Sequence, residues 1–367
     1  MVINRTDILC LCTPHGVGGA QNNAARLTKA FRERGYKAEL GFLCEREPEY
    51  RHLIDDFFVV YHKYPSSIME WLEFLRSCKK QIGSRRPQVT LGFHPLANII
   101  GAIFAGSQGT FLSRQAWPAH EQSRGTEKVE SLLIRTPLIY KNIACSKFVA
   151  SSFTHRGAIY QDKTSIIYNE PPKLPSTSES SVECRAHFGM SPKAKLPILG
   201  ALGRLHEQKN FQLAIHALSR APGFELYIAG GGPQESMLKS LANELQVNDR
   251  VHFLGPLKGV DVTRFLKAVD LLLMTSIYEG HPLVMLEAMS SGTPVLAHDI
   301  EVMREAGGDA AMYATSDPDS WASQILSFDE SKYSRHKQLG HLRADTFSQI
   351  PMVEQYLKEM NLAPYKV

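Results

Sequence analysis

Short apolar runs recur along the whole chain, and segments with apolar residues at helical spacing separate many of them. Unbroken apolar runs bounded by turn residues are typical of buried parallel strands, whereas the helical spacing predicts amphipathic helices over residues 19–35 and 67–83. The predicted strands are DILCLC, KAELGFLC, QVTLGFH, GTFLSRQ, NIACS and SIIYN, followed by LPILGALG, FELYIAG, RVHFLG, VDLLLMTS and TPVLAHD.

The alternation breaks once, at the Pro- and Ser-rich segment EPPKLPSTSESS (170–181). Two βα series joined by such a segment predict an α/β protein with two doubly wound Rossmann-like domains facing each other across a cleft. We expect an N-terminal domain over residues 1–170, a linker over 171–190 and a C-terminal domain over 191–345.

The stretch SIYEGHPLVMLEAMSSGTPVLAHD (276–299) places two glutamates around a helix start. Glu279 and Gly280 fall in the turn at the carboxyl end of a strand, where open α/β sheets bind ligands, and Glu287 lies one turn inside the helix. Between them the helix N-terminus suits a phosphate. The order acid, anion site, acid matches the sugar, diphosphate and ribose of a nucleotide sugar; the alternative is two solvated surface charges.

Two further strand-to-helix turns are candidates for phosphate binding. In PHGVGGAQ (14–21), Gly18 and Gly19 would let the backbone approach a diphosphate, although a glycine-rich turn also serves packing. In GRLHEQKN (203–210), Arg204 and Lys209 offer two cations from one loop, unless the loop is merely solvated.

GRLHEQKN, IAGGGP, HFLG and SIYEGHPLVMLEAMSSGTPVLA, in this order after GVGGAQ, resemble the GT4 family of retaining glycosyltransferases (glycosyl transferases group 1) with the GT-B fold. The resemblance covers nearly the whole chain and is most specific over residues 203–297. The two glutamates match the E-x7-E motif of that family.

The resemblance implies roles for these positions. Arg204 and Lys209 would neutralise the donor diphosphate as the glycosidic bond breaks, Glu279 would contact the donor sugar, and Glu287 would accept hydrogen bonds from the ribose. The remaining donor-binding candidates are Gly18, Gly19, Gly203, Gly280, His281 and Leu283. The resemblance further implies front-face attack without an enzyme nucleophile, with no metal and no cofactor. It also implies a nucleotide-sugar donor, expected to be UDP-linked. The final segment over residues 346–367 is expected to cross back to the N-terminal domain.

This chain departs from the family pattern at two places. His281 and Pro282 stand where many relatives have Phe-Gly, and Pro282 lacks an N–H that could contact the donor. Many relatives also have a cleft histidine where this chain has Ser113 and Arg114, which makes Arg114 an acceptor-side candidate. His94, at another strand end, is then the remaining catalytic histidine candidate; the alternative is a core or capping histidine.

The composition of the chain narrows the class of protein and its expected cellular compartment. The 367 residues are 43% hydrophobic and 21% charged, as expected for a globular two-domain protein, and the six cysteines lack metal-ligand spacing. The start of the chain does not resemble a signal peptide, and the apolar stretch 96–106 is too short to cross a bilayer. We expect a cytoplasmic protein, soluble or peripheral at the inner face of the membrane, with reduced cysteines and no nucleic-acid partner.

Positive charge is concentrated in the first half of the chain, where residues 1–170 carry 22 Lys and Arg against 15 Asp and Glu. Arg76, Lys79 and Lys80 lie on the predicted helix that also carries Trp71, Phe74 and Leu75. Basic residues beside apolar ones suit an anionic bilayer surface and an anionic acceptor such as a polyprenyl-diphosphate-linked glycan. The alternative is a solvated helix end that complements its own dipole.

The sequence therefore predicts a retaining, metal-independent glycosyltransferase that uses a nucleotide sugar, with a glycan or lipid-linked glycan acceptor in cell-surface polysaccharide assembly. One alternative is a glycosyltransferase with a small soluble acceptor. Another is a catalytically silent sugar-nucleotide-binding protein, which the presence of Arg204, Lys209, Glu279 and Glu287 disfavours. A hydrolase with paired carboxylates is disfavoured because the two acids flank an anion site and not a scissile bond.

Overall fold

A computed structural model describes residues 5–13, 19–45, 56–191 and 197–362. The chain divides into two compact units. Unit 1 contains Met1–Asn169 and Ile350–Val367, and unit 2 contains Glu170–Gln349.

Unit 1 is built on a seven-stranded parallel sheet with the order β3-β2-β1-β4-β5-β6-β7. Its strands are β1 (Ile8–Cys12), β2 (Ala38–Phe42), β3 (Phe57–Val59), β4 (Val89–Phe93), β5 (Thr110–Gln115), β6 (Lys141–Ala144) and β7 (Thr164–Ile166). Its helices are α1 (Gly19–Glu33), α2 (Ile68–Arg85), α3 (Pro95–Phe104), α4 (Arg124–Leu133), α5 (Lys147–Ser152), α6 (Ala158–Lys163) and the last helix of the chain, α15 (Met352–Met360).

Both faces of this sheet are covered, which is why its central strands are continuous apolar runs. On one face α1 and α15 pack through Phe31, Met352 and Tyr356 against β1 and β4. On the other face α2 contributes Phe74 and Ile82 to a second apolar cluster. All six cysteines are buried thiols.

Unit 2 contains a six-stranded parallel sheet with the order β10-β9-β8-β11-β12-β13. Its strands are β8 (Leu199–Leu202), β9 (Leu226–Ala229), β10 (Val251–Gly255), β11 (Leu271–Met274), β12 (Val295–His298) and β13 (Met312–Ala314). Its helices are α7 (Ser181–His187), α8 (Phe211–Ser219), α9 (Glu235–Glu244), α10 (Val260–Ala268), α11 (Leu283–Ser290), α12 (Glu301–Gly307), α13 (Pro318–Leu326) and α14 (Glu330–Thr346).

Two doubly wound parallel sheets confirm the predicted α/β class. The apolar pattern did not reveal β3 and β13, which have three residues each and lie at sheet edges, although it did reveal the equally short edge strand β7. Within the predicted linker 171–190 the structure contains a helix, α7, which begins with a capping box at Ser180 and Glu183. Arg185 of α7 forms an ion pair of 2.6 Å with Asp270, so this part of the predicted linker is packed into unit 2.

Each sheet has one topological switch point, where two neighbouring strands are followed by connections to opposite sides of the sheet. In unit 2, β8 and β11 are neighbours, but β8 continues to β9 on one side and β11 continues to β12 on the other. In unit 1 the same relation holds for β1 and β4. A crevice forms beyond the carboxyl ends of two such strands, and ligands of open α/β sheets bind there.

Within the described ranges, no helix combines the length and the apolar character needed to cross a bilayer.

Candidate active site

The loop after β8, residues 203–210, is the cation loop of unit 2. Gly203 has a φ of +152°, and a Cβ at this position would lie 3.2 Å from Cε of Lys209. Arg204 is exposed, and residues 207–209 form a single 3₁₀ turn that ends at Asn210, whose φ is +49°. The loop therefore folds back on itself, and Lys209 packs over Gly203.

The loop after β11, residues 275–282, is the acid loop. Glu279 and Gly280 are buried, and Ile277 is exposed. The loop ends at Pro282, which is the N-cap of α11.

Three hydrogen bonds hold the two loops in one register. The Ile277 N–H donates to the Gln208 carbonyl (2.9 Å), and the Gln208 side-chain amide donates to the Tyr278 carbonyl (3.1 Å). The Thr275 hydroxyl donates to the Lys209 carbonyl at 2.7 Å. Sequence reasoning did not identify Gln208 and Thr275, because their role is a contact between segments about 70 residues apart.

This register brings two predicted catalytic residues into direct contact. Lys209 Nζ lies 2.6 Å from Glu279 Oε1, and the two side chains are 16% and 10% exposed. Because the pair is largely shielded from water, the ammonium and the carboxylate interact more strongly than a surface pair would. A ligand phosphate that approaches Lys209 therefore enters a site where Glu279 is already its counter-ion.

Helix α11 starts beside this ion pair. The N–H groups of Leu283 and Val284 are in its first turn, where helix geometry provides no intrahelical acceptor. No acidic side chain lies in that turn, so the partial positive charge of the helix end is not neutralised there. Glu287 is partly exposed on the second turn of α11. The structure thus places the start of α11 between Glu279 and Glu287.

The acid loop also packs against a residue that sequence reasoning missed. The ring of His281, which is 6% exposed, contacts the ring of Phe347 edge to face, with centroids 5.0 Å apart. Arg343 lies over the same phenylalanine ring at 4.8 Å. No pattern near residue 347 distinguishes this phenylalanine from an ordinary core residue, because the contact spans 66 residues of sequence.

The glycine-rich turn after β9 packs against the cation loop. Gly230 follows β9 with a φ of +155°, and a Cβ there would lie only 1.8 Å from the Gly203 carbonyl oxygen. A Cβ at Gly232 would lie 2.5 Å from the Leu205 carbonyl oxygen, which is also too close. Backbone hydrogen bonds from Gly203 to Ala229 and from Leu205 to Gly231 complete the contact. The GGGP segment therefore supports the cation loop.

In unit 1 the candidate histidine lies at the switch point of the sheet. His94 is the N-cap of α3 with a φ of +86°, and its Nδ1 lies 3.4 Å from Cys12 Sγ at the end of β1. Burial and then the nearby Arg114 charge lower the pKa of His94 from 6.5 to about 4. The imidazole is therefore neutral at pH 7 and could accept a proton or a hydrogen bond.

Arg114, the acceptor-side candidate, has internal partners. Its side chain is 1% exposed and donates from Nε to the Tyr356 hydroxyl at 2.9 Å and from Nη2 to Asn169 Oδ1. Its Nη1 has no hydrogen-bond partner among the described residues. Through the Tyr356 hydrogen bond Arg114 connects β5 to the C-terminal helix α15, which gives it a structural role in unit 1. Its guanidinium does not reach solvent.

The other predicted residues of unit 1 lie elsewhere. Gly18 is outside the described residues, and Gly19 is the first residue of α1, where an added Cβ would meet no described atom within 4 Å. Arg76, Lys79 and Lys80 are exposed on α2.

Neither of two cavities in unit 2 coincides with the paired loops. One of about 380 Å³ is lined by residues 171–177 together with parts of α10 and α11, and one of about 310 Å³ lies around Arg304 and Tyr313. Neither includes a residue of the cation loop or the acid loop, so the site is assigned from its chemistry and its position at the switch point. Within the described residues, no cluster of three His, Cys, Asp or Glu side chains could hold a metal ion.

The part of the chain that contains both loops is similar to known proteins. The family described as Glycosyl transferases group 1 matches residues 186–340, which include both loops. The lipopolysaccharide core biosynthesis glycosyltransferase LpsE of Rhizobium meliloti is 34% identical over 179 residues, 47% of this chain and 52% of LpsE. The D-inositol 3-phosphate glycosyltransferase of Mycobacterium marinum is 33% identical over 152 residues, 39% of this chain and 32% of that protein. The matched region thus spans about half of the relatives' length or less.

Solved structures match over a much larger part of the chain. Anabaena Alr3699/HepE, solved in complex with UDP and glucose, has a TM-score of 0.82 at 19% identity and covers 97% of this chain and 99% of its own. WaaG, a glycosyltransferase involved in lipopolysaccharide biosynthesis, has a TM-score of 0.71 at 17% identity, covering 97% and 100%. At this level of identity the likeness concerns the fold, and it confirms the predicted GT-B class of two Rossmann-like units.

Proposed function

We propose that the chain is a glycosyltransferase that transfers a sugar from a UDP-linked donor with retention of configuration, and the match of residues 186–340 to the family described as Glycosyl transferases group 1 supports this proposal. The observation that carries the proposal is the pair of registered loops at the switch point of unit 2. They place Lys209, Glu279 and the start of α11 side by side. HepE, which shares the fold, was solved in complex with UDP and with glucose.

In the proposed complex the donor diphosphate lies between Arg204, Lys209 and the first N–H groups of α11. Glu287, one turn further along the helix, accepts hydrogen bonds from the ribose hydroxyls, and Glu279 accepts hydrogen bonds from the sugar. Each group thus faces the part of the donor that its chemistry suits.

The proposed reaction breaks the bond between the anomeric carbon and the diphosphate oxygen. The electron pair leaves with the diphosphate, and the extra negative charge is stabilised by Arg204 and Lys209, which are positioned before the reaction starts. The acceptor hydroxyl attacks the anomeric carbon from the same face and loses its proton to the departing phosphate oxygen. No enzyme nucleophile is needed, and configuration is retained.

We extend the proposal to metal and cofactor independence. Two cationic side chains and a helix N-terminus supply the positive charge that a divalent ion would otherwise bring to a diphosphate.

For the acceptor, we propose a glycan or a lipid-linked glycan such as one carried on polyprenyl diphosphate. LpsE, at 34% identity, is named for lipopolysaccharide core biosynthesis. A second candidate is a small soluble acceptor, because a relative at 33% identity is named a D-inositol 3-phosphate glycosyltransferase.

A thermal-shift comparison of UDP, GDP, ADP and TDP, each free and as its glucose conjugate, tests the donor class. A ligand at 100 times its Kd that binds only the folded state adds about 2.7 kcal/mol of apparent stability. We expect UDP and its conjugates to give the largest shift.

The test variant is Lys209→Ala, and its matched control is Lys258→Ala. Lys258 is an exposed lysine of unit 2 outside both loops. Only Lys209→Ala should lose the UDP shift. Equal shifts in the two variants, or no shift with any nucleotide, would contradict the proposed donor site.

A further inference from the structure

Helix α2 of unit 1 exposes apolar side chains at its N-terminal end. Ile68, Met69 and Leu72 are 81%, 63% and 44% exposed, and Tyr64, just before the helix, is 53% exposed. Ile68 and Leu72 are one helical turn apart and Met69 is next to Ile68, so the three side chains form one patch. A contiguous patch of exposed apolar residues is typical of a surface that contacts a protein or a membrane.

The same face of α2 becomes basic towards its C-terminal end. Arg76 follows Leu72 by one turn, and Lys79 and Lys80 follow Arg76 by one further turn. All three are exposed, and within the described residues no ion pair engages them. The outward face, defined as Ile68, Met69, Leu72, Arg76, Lys79 and Lys80, is therefore apolar at one end and positively charged at the other.

The acidic residues of α2 already have partners. Glu70 forms an ion pair of 2.6 Å with Lys63 and caps the helix start through Ser66. Glu73, exposed at the margin of the outward face, accepts a hydrogen bond from Tyr61 at 3.1 Å. Three cations against this single carboxylate leave the outward face with a net positive charge.

The apolar residues that the sequence suggested for membrane contact lie on the other side of the helix. Phe74 is fully buried, and Trp71 and Leu75 pack against the same cluster of unit 1. Trp71 also stacks edge to face on Phe74 and on Tyr64, with centroids 5.4 and 6.0 Å apart. The inner side of α2 therefore fixes the helix to the unit, while different apolar residues point outward.

We infer that the outward face of α2 docks on an anionic membrane surface. Ile68, Met69 and Leu72 enter the headgroup region, and Arg76, Lys79 and Lys80 contact lipid phosphates. Apolar residues combined with cations on one face, along a helix of about 27 Å, are the combination that interfacial helices use. The charge complementarity selects anionic lipid, and the inference does not depend on which sugar or acceptor unit 2 serves.

Vesicle co-sedimentation of the full chain tests the inference. Vesicles of phosphatidylcholine alone are compared with vesicles containing phosphatidylglycerol, at about 50 and about 300 mM salt. We expect binding to the anionic vesicles only, weaker at the higher salt. The triple variant Arg76→Gln/Lys79→Gln/Lys80→Gln should lose about 10²-fold in affinity.

A second variant, Ile68→Ser/Met69→Ser/Leu72→Ser, should reduce binding at both salt concentrations. The matched control is Leu326→Ser/Leu342→Ser/Lys258→Gln, which changes exposed residues of unit 2 and should bind as the unchanged chain does. Nucleotide thermal shifts, measured in parallel, should be the same in all variants, which separates this surface from the donor site.

Two results would overturn the inference. One is the absence of binding to anionic vesicles at the lower salt. The other is a concentration-dependent dimer that the Ile68, Met69 and Leu72 variant abolishes while vesicle binding stays unchanged, because the apolar patch would then be a contact between copies of the chain.

Discussion

At the scale of single residues, the contact between Lys209 and Glu279 determines what each variant of the candidate site should do. Glu279→Gln removes the counter-ion of Lys209 and leaves its ammonium available for a diphosphate. We expect this variant to bind free UDP at least as tightly as the unchanged chain, while its transfer rate falls. Calorimetry with UDP, combined with a turnover assay, separates the two effects.

Lys209→Ala should lower both UDP affinity and turnover, with a rate loss of roughly 10²-fold or more, as expected when one positioned charge is removed. Loss of UDP affinity in Glu279→Gln equal to that in Lys209→Ala would show that the carboxylate, and not the ammonium, holds the nucleotide.

The second residue-scale prediction concerns the stability of the fold as pH changes. Burial and the Arg114 charge lower the pKa of His94 to about 4, below the 6.5 of an unfolded chain. Its stabilising contribution is therefore complete above pH 6.5 and is lost as pH falls towards 4, by at most about 3 kcal/mol.

Denaturant unfolding at pH 7 and pH 4 measures this loss, and His94→Gln should show a smaller decrease than the unchanged chain. His62→Gln is the control, since His62 is exposed. Identical decreases in all three proteins would show that His94 is not the group that titrates.

At the scale of elements, close packing of strand-end turns predicts which glycines can be replaced. Gly230→Ala would place a Cβ 1.8 Å from the Gly203 carbonyl oxygen, at a φ of +155°. We expect a destabilisation of about 2 kcal/mol or more, together with weaker UDP binding, because the cation loop must move.

Its neighbour provides the control. A Cβ on Gly231 would be 3.7 Å from Pro256, an ordinary contact, so Gly231→Ala should change neither unfolding nor UDP binding appreciably. Similar behaviour of the two variants would mean that the cation loop tolerates displacement.

The attachment of α15 to the sheet of unit 1 gives another element-scale prediction. Tyr356→Phe removes the acceptor of the Arg114 Nε hydrogen bond and leaves a buried guanidinium with fewer partners. We expect the free energy of unfolding to fall by about 1–3 kcal/mol. Denaturant titration measures it, and Tyr140→Phe, at an exposed tyrosine, is the control. A decrease no larger than that of the control would rule out a stabilising role for this bond.

At the scale of the whole molecule, the proposed chemistry predicts independence from divalent metal ions. Transfer activity of the full chain should be the same in excess EDTA and in Mg²⁺ or Mn²⁺, because in the proposed complex side-chain cations and the α11 N-terminus supply the positive charge that the diphosphate needs. Activity that disappears in EDTA and returns with either ion would contradict this proposal. The Lys209→Ala variant, assayed in the same buffers, shows whether an added ion substitutes for the missing ammonium.

Features that depend on residues close together in the sequence could be predicted, and contacts between distant segments could not. The strand, turn and helix around Glu279 and Glu287 were predictable, because apolar periodicity and the Gly and Pro signals act within about a dozen residues. The two-sheet architecture was predictable for the same reason, except for the three-residue edge strands β3 and β13.

The amphipathic pattern of α2 predicted a helix with basic residues near its end, but it suggested the wrong apolar residues for the outer surface. Trp71, Phe74 and Leu75 are at helical spacing like any buried stripe, and only packing against the sheet shows that they face inward. The exposure of Ile68, Met69 and Leu72 then becomes the informative observation.

The fold class and the residue types that could hold a nucleotide sugar were predictable from the sequence alone, because they depend on local patterns and fixed spacings. The contacts of Lys209 with Glu279, of Gln208 with the acid loop and of Arg114 with Tyr356 become visible only in the folded chain. Such contacts join segments 70 to 242 residues apart. They form because the strand order places particular strand ends side by side, and no local pattern encodes that order.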